Sequence, residues 1–217
     1  MFDSAMARRM MVDGQIRTAD VTNPDLISAM LEVPRERFVP PGLATQAYVD
    51  IDLEVGGGRA LLKPMVLARL IQAAQVHGGD HVLDVGCGLG YSSAVLSRVA
   101  ASVIAQEQDS GLAEGAREAL AAVGATNVSV VNGPLIEGWP TAAPYDVILL
   151  NGASEITPDV LGMQLKPDGR LACIFGRPPR AKAMLFRLAE GRLLGRWIFD
   201  AAAPVLPGFV APPAFVF

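Results

Sequence analysis

The chain predicts an α/β fold built on a doubly wound, mainly parallel sheet, and three observations carry that expectation. From His81 onward, short apolar runs alternate with segments of helical period. Runs such as Val147-Ile148-Leu149-Leu150 are apolar at every position, as strands covered on both faces must be. The first of these strands ends at Asp84 and runs into Gly86-Cys87-Gly88-Leu89-Gly90, a glycine turn that opens the next helix.

Each element has its local reason. Residues Ser4 to Arg17 read as a weak amphipathic helix, and Asn23-Pro24 places an N-cap ahead of a first-turn proline for a helix running to Val33. Val33 to Gly42 holds three prolines and is expected to be an irregular connector. Alternation over Asp50 to Val55 predicts a short strand, Gly56-Gly57-Gly58 a mobile turn, and Pro64 the start of another helix. Strands are then expected at His81–Val85, Ser102–Glu107, Asn127–Val131, Asp146–Leu150 and Arg170–Phe175. Helices fill the gaps at Tyr91–Ala100, Asp109–Val123 and Thr157–Leu165, the last opening on Thr-Pro. Beyond Arg180, Ala183–Leu188 and Leu193–Phe199 are joined by Ala189-Glu190-Gly191 and predict a terminal hairpin that adds antiparallel strands to the sheet edge. The proline-rich tail from Ala201 is expected to be extended. The organisation expected is one compact unit, with residues 1–63 as an amino-terminal helical cover and loop segment and 64–217 as the α/β domain.

Composition excludes several classes. Hydrophobic residues make up 51% of the 217, above the usual ~45–50%, so a sizeable core is available. A net charge of −4 leaves no basic field for a nucleic-acid partner. Two cysteines, Cys87 and Cys173, are too few for a disulfide framework or a four-cysteine zinc site and point to a reducing cytoplasm. The longest uncharged stretch, Ala119 to Ile136, is broken by glycine, asparagine and proline, so no membrane span is expected. The amino end carries charges where an export signal needs apolar residues. His77 and His81 flank a glycine pair without the ligand spacing a metal needs, and Trp139 and Tyr145 read as packing residues.

The segment His81 to Ser93 carries the chemistry. Its spacing is Gly-x-Gly-x-Gly, and Asp84 stands just before the turn. That carboxylate repels a pyrophosphate but attracts the ammonium and sulfonium of a methionine tail, which favours S-adenosylmethionine over a nicotinamide dinucleotide. Glu107 ends the second strand, about 20 residues on, where an acid can accept both ribose hydroxyls. Asn151, at the end of the fourth strand, either orients an acceptor group in the crevice or caps the turn before Thr157.

From Met11 to about Gly208 the chain resembles the protein-L-isoaspartate O-methyltransferases. The resemblance rests on VDGQIR at Val12–Arg17, VPRERFVP at Val33–Pro40, AYVDIDLEVG at Ala47–Gly56, then VLDVGCGLGY, APYDVILLNGA and LKPDGRL in order. It implies a seven-stranded, Rossmann-like methyltransferase fold and an enzyme that methylates a carboxylate on a protein or peptide. Carried over, it implies that Asp84, Gly86, Cys87, Gly88 and Gly90 line the methionine part of S-adenosylmethionine, Glu107 holds the ribose, and Asn132, Gly133 and Pro134 form the adenine side.

Two departures mark a divergent member. The adenine-side acid of the family is replaced by Pro134, which offers neither a carboxylate nor an N–H. The substrate loop's threonine and serine positions are Ala60 and Leu62, which leaves the catalytic residue unassigned and Arg59 and Lys63 as candidates to bind the acceptor carboxylate. These losses predict weak activity on isoaspartyl peptides. They also define the alternative, a family member that keeps the fold as a cofactor-binding or protein-interaction module.

Overall fold

The computed structural model describes residues 3–189 and 191–212. Glu190 of the hairpin link and the last residues of the tail lie outside them. Helix α1, Ser4–Met11, starts where the Asp3 carboxylate accepts the Met6 N–H at 3.0 Å, and it loosens into a π turn at Val12–Ile16 and a tight turn at Arg17–Ala19. Helix α2, Pro24–Glu32, is capped by Asn23, whose side chain accepts from the Asp25 and Leu26 N–H groups. The proline-rich connector folds into short 3-10 turns at Arg35–Phe38 and Pro41–Gln46. The strand expected near Val55 is real, β1 at Leu53–Gly56, but it pairs with a second short strand, β2 at Arg59–Leu61. The two form a hairpin of their own, separate from the main sheet, and helix α3 follows at Pro64–Ala73.

Among the described residues the main sheet has seven strands: β3 (His81–Val85), β4 (Ser102–Glu107), β5 (Val128–Asn132), β6 (Tyr145–Ser154), β7 (Leu165–Phe175), β8 (Lys182–Ala189) and β9 (Arg192–Asp200). Their order is β5-β4-β3-β6-β7-β8-β9. The first five are parallel, and β8 and β9 run antiparallel to their neighbours, as the terminal hairpin predicted. Helices α4 (Tyr91–Leu96) and α5 (Ser110–Ala122) make the crossovers. The chain steps outward one way from β3 through β4 to β5 and then returns to β6 on the other side, so a crevice opens at the carboxyl ends of β3 and β6.

The helix expected over Thr157–Leu165 shrinks to α6, Asp159–Gly162, and Leu165 already begins β7. Tertiary bonds claim that end of the segment. The Gln164 carbonyl accepts the Tyr145 N–H at 2.8 Å, while its side chain donates to the Glu137 carbonyl and accepts from the Trp139 N–H. These bonds outweigh the weak local preference for helix.

Both faces of the sheet are apolar, and two buried clusters fill them. One includes Met30, Phe38, Leu67 and Tyr91 and draws in the amino-terminal segment. The other is built on Leu83, Val85, Tyr145, Ile148 and Phe186 and is closed by Leu206 and Phe209 of the tail. No helix among the described residues is long and apolar enough to cross a membrane.

The described part of the tail, residues 201–212, runs irregularly through a turn at Pro207-Gly208 and is pinned to β6. Ala153 donates to the Pro204 carbonyl at 2.8 Å, and Leu206 donates to the Ala153 carbonyl at 2.9 Å. This lays the Leu206 side chain over Gly152, where an added Cβ would lie only 2.6 Å from Leu206 Cγ. Gly152→Ala is therefore expected to cost about 1–3 kcal/mol by overpacking. In urea unfolding, much of that loss should disappear when the substitution is made in a Leu206→Ala background, and strictly additive losses would show that the two residues do not meet.

Candidate active site

Two carboxylates end neighbouring strands at the crevice, and neither has any exposed surface. Asp84 lies near the end of β3. Its Oδ2 accepts the hydroxyls of Ser92 and Ser93, both at 2.6 Å, from the first turn of α4. The Ser92 hydroxyl in turn accepts the Asn151 amide at 2.7 Å, so Asn151 reaches across to α4 rather than capping the turn before Thr157. Among the described residues, nothing hydrogen-bonds to the buried Asp84 Oδ1 and Asn151 Oδ1. Two such acceptors, linked through a single hydroxyl, await a donor, and an ammonium group supplies several.

Burial raises the Asp84 carboxyl to about 6 against the pull of its two serine hydroxyls, with a smaller push from Glu107. The Cys87 thiol, buried between these carboxylates, is pushed well above its ordinary value and is a packing group here rather than a nucleophile. The glycines serve the turn. Gly90 has φ +92°, and a Cβ there would lie 3.1 Å from Leu120 of α5.

Glu107, the last residue of β4, has a full donor set. Oε1 accepts the N–H groups of Gln108 at 2.7 Å and Asp109 at 3.0 Å, and Oε2 accepts that of Gly88 at 3.0 Å. The remaining donors come from Arg59 on β2, Nε to Oε2 at 3.2 Å and Nη2 to Oε1 at 3.0 Å. Arg59 is 3% exposed, so this is a buried ion pair on the cofactor side of the crevice and not a loop cation facing solvent.

The other substrate-loop positions divide. Leu62 is 1% exposed and packs in the core, while its carbonyl accepts from Arg35 at 2.6 Å. Lys63 is half-buried, and its N–H donates to Asp52 at 2.8 Å just before α3. On the adenine side, Asn132 spends its amide on the carbonyls of Glu107 and Gln108, which leaves its Oδ1 as an acceptor beside Gly133 and Pro134. Buried Gln106 holds this loop by donating to the Pro134 and Gly138 carbonyls at 2.8 and 2.9 Å. His77 lies 3.2 Å from the Asp80 carboxylate.

Ser92, Ser93, Gln106 and Arg35 are functional neighbours that sequence reasoning missed. The serines had a signal, since they stand in the first turn of the helix that follows the glycine loop, eight and nine residues beyond Asp84. Gln106 and Arg35 had none, because both act on carbonyls far away in the chain.

Sheet order, crevice and glycine turn together define a domain of the S-adenosylmethionine-dependent methyltransferase class. The family model described as protein-L-isoaspartate(D-aspartate) O-methyltransferase matches residues 6–191, and the chain belongs to that family. Among curated relatives, a protein-L-isoaspartate O-methyltransferase of Methylorubrum extorquens is 43% identical over 190 residues, covering 88% of this chain and 82% of that protein. One of Pelotomaculum thermopropionicum is 41% identical over 169 residues, covering 78% and 74%. A solved protein-L-isoaspartate O-methyltransferase superposes with a TM-score of 0.80 at 27% identity, over 93% of this chain and 66% of that one, just under two thirds of its length. A Plasmodium falciparum structure in complex with S-adenosyl-L-homocysteine superposes at 0.78 with 16% identity over 92% and 97%, a likeness of fold alone.

The raised Asp84 carboxyl fixes a pH dependence. Its folded state holds a proton more tightly than the unfolded chain between about pH 4 and pH 6, so this contribution to stability is present at low pH and lost as pH rises through 6. The loss is about 3 kcal/mol at most. Asp84→Asn, which stays uncharged, is expected to flatten the change between pH 4 and 7 in urea unfolding; an unchanged slope would assign it to other groups.

Proposed function

We propose that this protein is an S-adenosylmethionine-dependent O-methyltransferase acting on a carboxylate of a damaged protein or peptide, with isoaspartate, the substrate in its relatives' names, as the first acceptor to test. The observation that carries the reading is the pair of buried, unpartnered oxygens of Asp84 and Asn151 at the carboxyl ends of β3 and β6. They suit the cationic methionine end of the cofactor, and Glu107 suits its ribose diol once Arg59 moves aside. Bound S-adenosylmethionine supplies an electrophilic methyl group.

The chain's own residues then have four tasks. Asp84 and Asn151 would hold the ammonium, with Ser92 and Ser93 fixing the carboxylate that receives it. Gln106 keeps the adenine-side loop of Asn132, Gly133 and Pro134 in place. The amino-terminal segment, whose Leu62 packs in one apolar cluster with Tyr91 of α4, would exclude water from the reacting oxygen. Lys63, at the foot of the hairpin, is the cation nearest in sequence to the serine position and would steer the acceptor carboxylate. An ionised carboxylate needs no general base, so rate comes from alignment and from drying the site. Leucine at position 62 cannot orient the acceptor by a hydrogen bond. Two buried thiols, Cys87 and Cys173, suit work in a reducing cytoplasm. Membership in a family of named enzymes weighs against the module that does no chemistry.

Titration calorimetry with S-adenosylhomocysteine is expected to give micromolar binding, roughly −8 kcal/mol, and none with NAD. Absence of heat with both would overturn the cofactor reading. Methyl transfer to an isoaspartyl peptide is expected to be slow in the native chain and to rise about tenfold or more in kcat/KM for Leu62→Ser, the gain that 1.4 kcal/mol of orientation carries. Leu62→Ser also removes a buried core side chain, so its melting temperature should fall even where its rate improves.

A further inference from the structure

The guanidinium of Arg59 and the two hydroxyls of a ribose ask the same thing of Glu107. Each is a two-pronged donor, and each needs both carboxylate oxygens. A carboxylate has about four lone-pair sites. Three backbone N–H groups, from Gly88, Gln108 and Asp109, already take their share and cannot leave, because they belong to the turns that follow β3 and β4. Only the share held by Arg59 is exchangeable.

Arg59 is also on the one element able to carry it away. The hairpin of β1 and β2 pairs with itself and not with the main sheet. It turns on Gly56, Gly57 and Gly58, with φ of +103°, +56° and +69°, a run that only glycine adopts without strain. It lies across the crevice as a strap. Val55 comes within 3.5 Å of where a Cβ on Gly88 would be, and the tip at Gly57 approaches Leu112 and the Asp109 carboxylate at the start of α5. Arg59 further ties the tip by donating to the Gly57 carbonyl at 3.3 Å.

We propose that Arg59 is an internal competitor for the ribose subsite, carried on the Leu53–Leu61 strap, and that nucleoside binding requires exchange of the guanidinium for the diol on Glu107. The inference rests on the reading that S-adenosylmethionine binds here. It makes Arg59 the residue that sets cofactor affinity in this chain. Apparent affinity is the intrinsic value reduced by the fraction of molecules with the strap released, so removing the competitor tightens binding without adding a contact.

The test is titration of the full chain with S-adenosylhomocysteine, comparing the native protein with Arg59→Ala and Arg59→Gln, and with Arg117→Ala as a charge control on the α5 surface, where Arg117 pairs with Glu114. Circular dichroism verifies that each variant folds. Both Arg59 variants are expected to bind about tenfold tighter or more, as removal of a competitor that closes nine sites in ten requires, while Arg117→Ala is unchanged. In stopped-flow mixing, the native association rate should level off with ligand concentration because strap release limits it, and the Arg59 variants should stay linear. Equal or weaker binding by folded Arg59 variants overturns the proposal and leaves the cofactor reading intact. Failure of native and variant proteins alike to bind overturns both.

Discussion

Two carboxylates with no access to water, one near the end of β3 and one at the end of β4, set the terms for the rest of this structure. Charges of like sign in a medium of low dielectric are costly unless donors surround them. The fold answers the cost differently on each strand. Asp84 receives two hydroxyls from α4, and burial still raises its carboxyl to about 6. Glu107 receives three backbone N–H groups and a guanidinium and is saturated. One acid is open to a cationic ligand, and the other is already spoken for.

That asymmetry links the amino-terminal segment to the sheet. Arg35, with no exposed surface, donates to the Ala47 and Leu62 carbonyls, both at 2.6 Å, and lies 4.7 Å above the Tyr91 ring. Burial strips its guanidinium of water and lowers it from its ordinary value. Arg35 fastens the foot of the hairpin to the connector at Ala47 and to the Tyr91 ring of α4, whereas the tip is held by the pair between Arg59 and Glu107. A strap fixed at its foot and latched at its tip by one exchangeable contact has the mechanics of a gate. Leu206 clasps Gly152 by packing, on a backbone pinned to β6 through Ala153.

The loss of the substrate-loop hydroxyls takes on a different meaning in three dimensions. In sequence, Leu62 is a missing hydroxyl. In the structure it is a core residue, 1% exposed and packed with the apolar cluster that includes Leu61 and Val66. Apolar burial at that point stabilises the base of the strap and draws its backbone toward Arg35.

Periodicity and turn chemistry determined the main sheet. Strands β3 and β4 fall where alternation of apolar runs and glycine turns placed them, and the terminal hairpin follows from its turn, because these signals are local and complete within a few residues. The glycine loop, Asp84 and Glu107 were legible for the same reason, since strand end and helix start lie side by side in the chain. Tertiary structure decided what local signals cannot encode. It cut the helix after Thr157 to one turn through bonds from Gln164, paired β1 with β2, and turned Asn151 toward Ser92. Above all it brought Arg59 onto Glu107, 48 residues away. Sequence fixes a residue's charge and its strand, but which partner a buried charge finds depends on which distant donor the folded chain leaves within 3 Å of it.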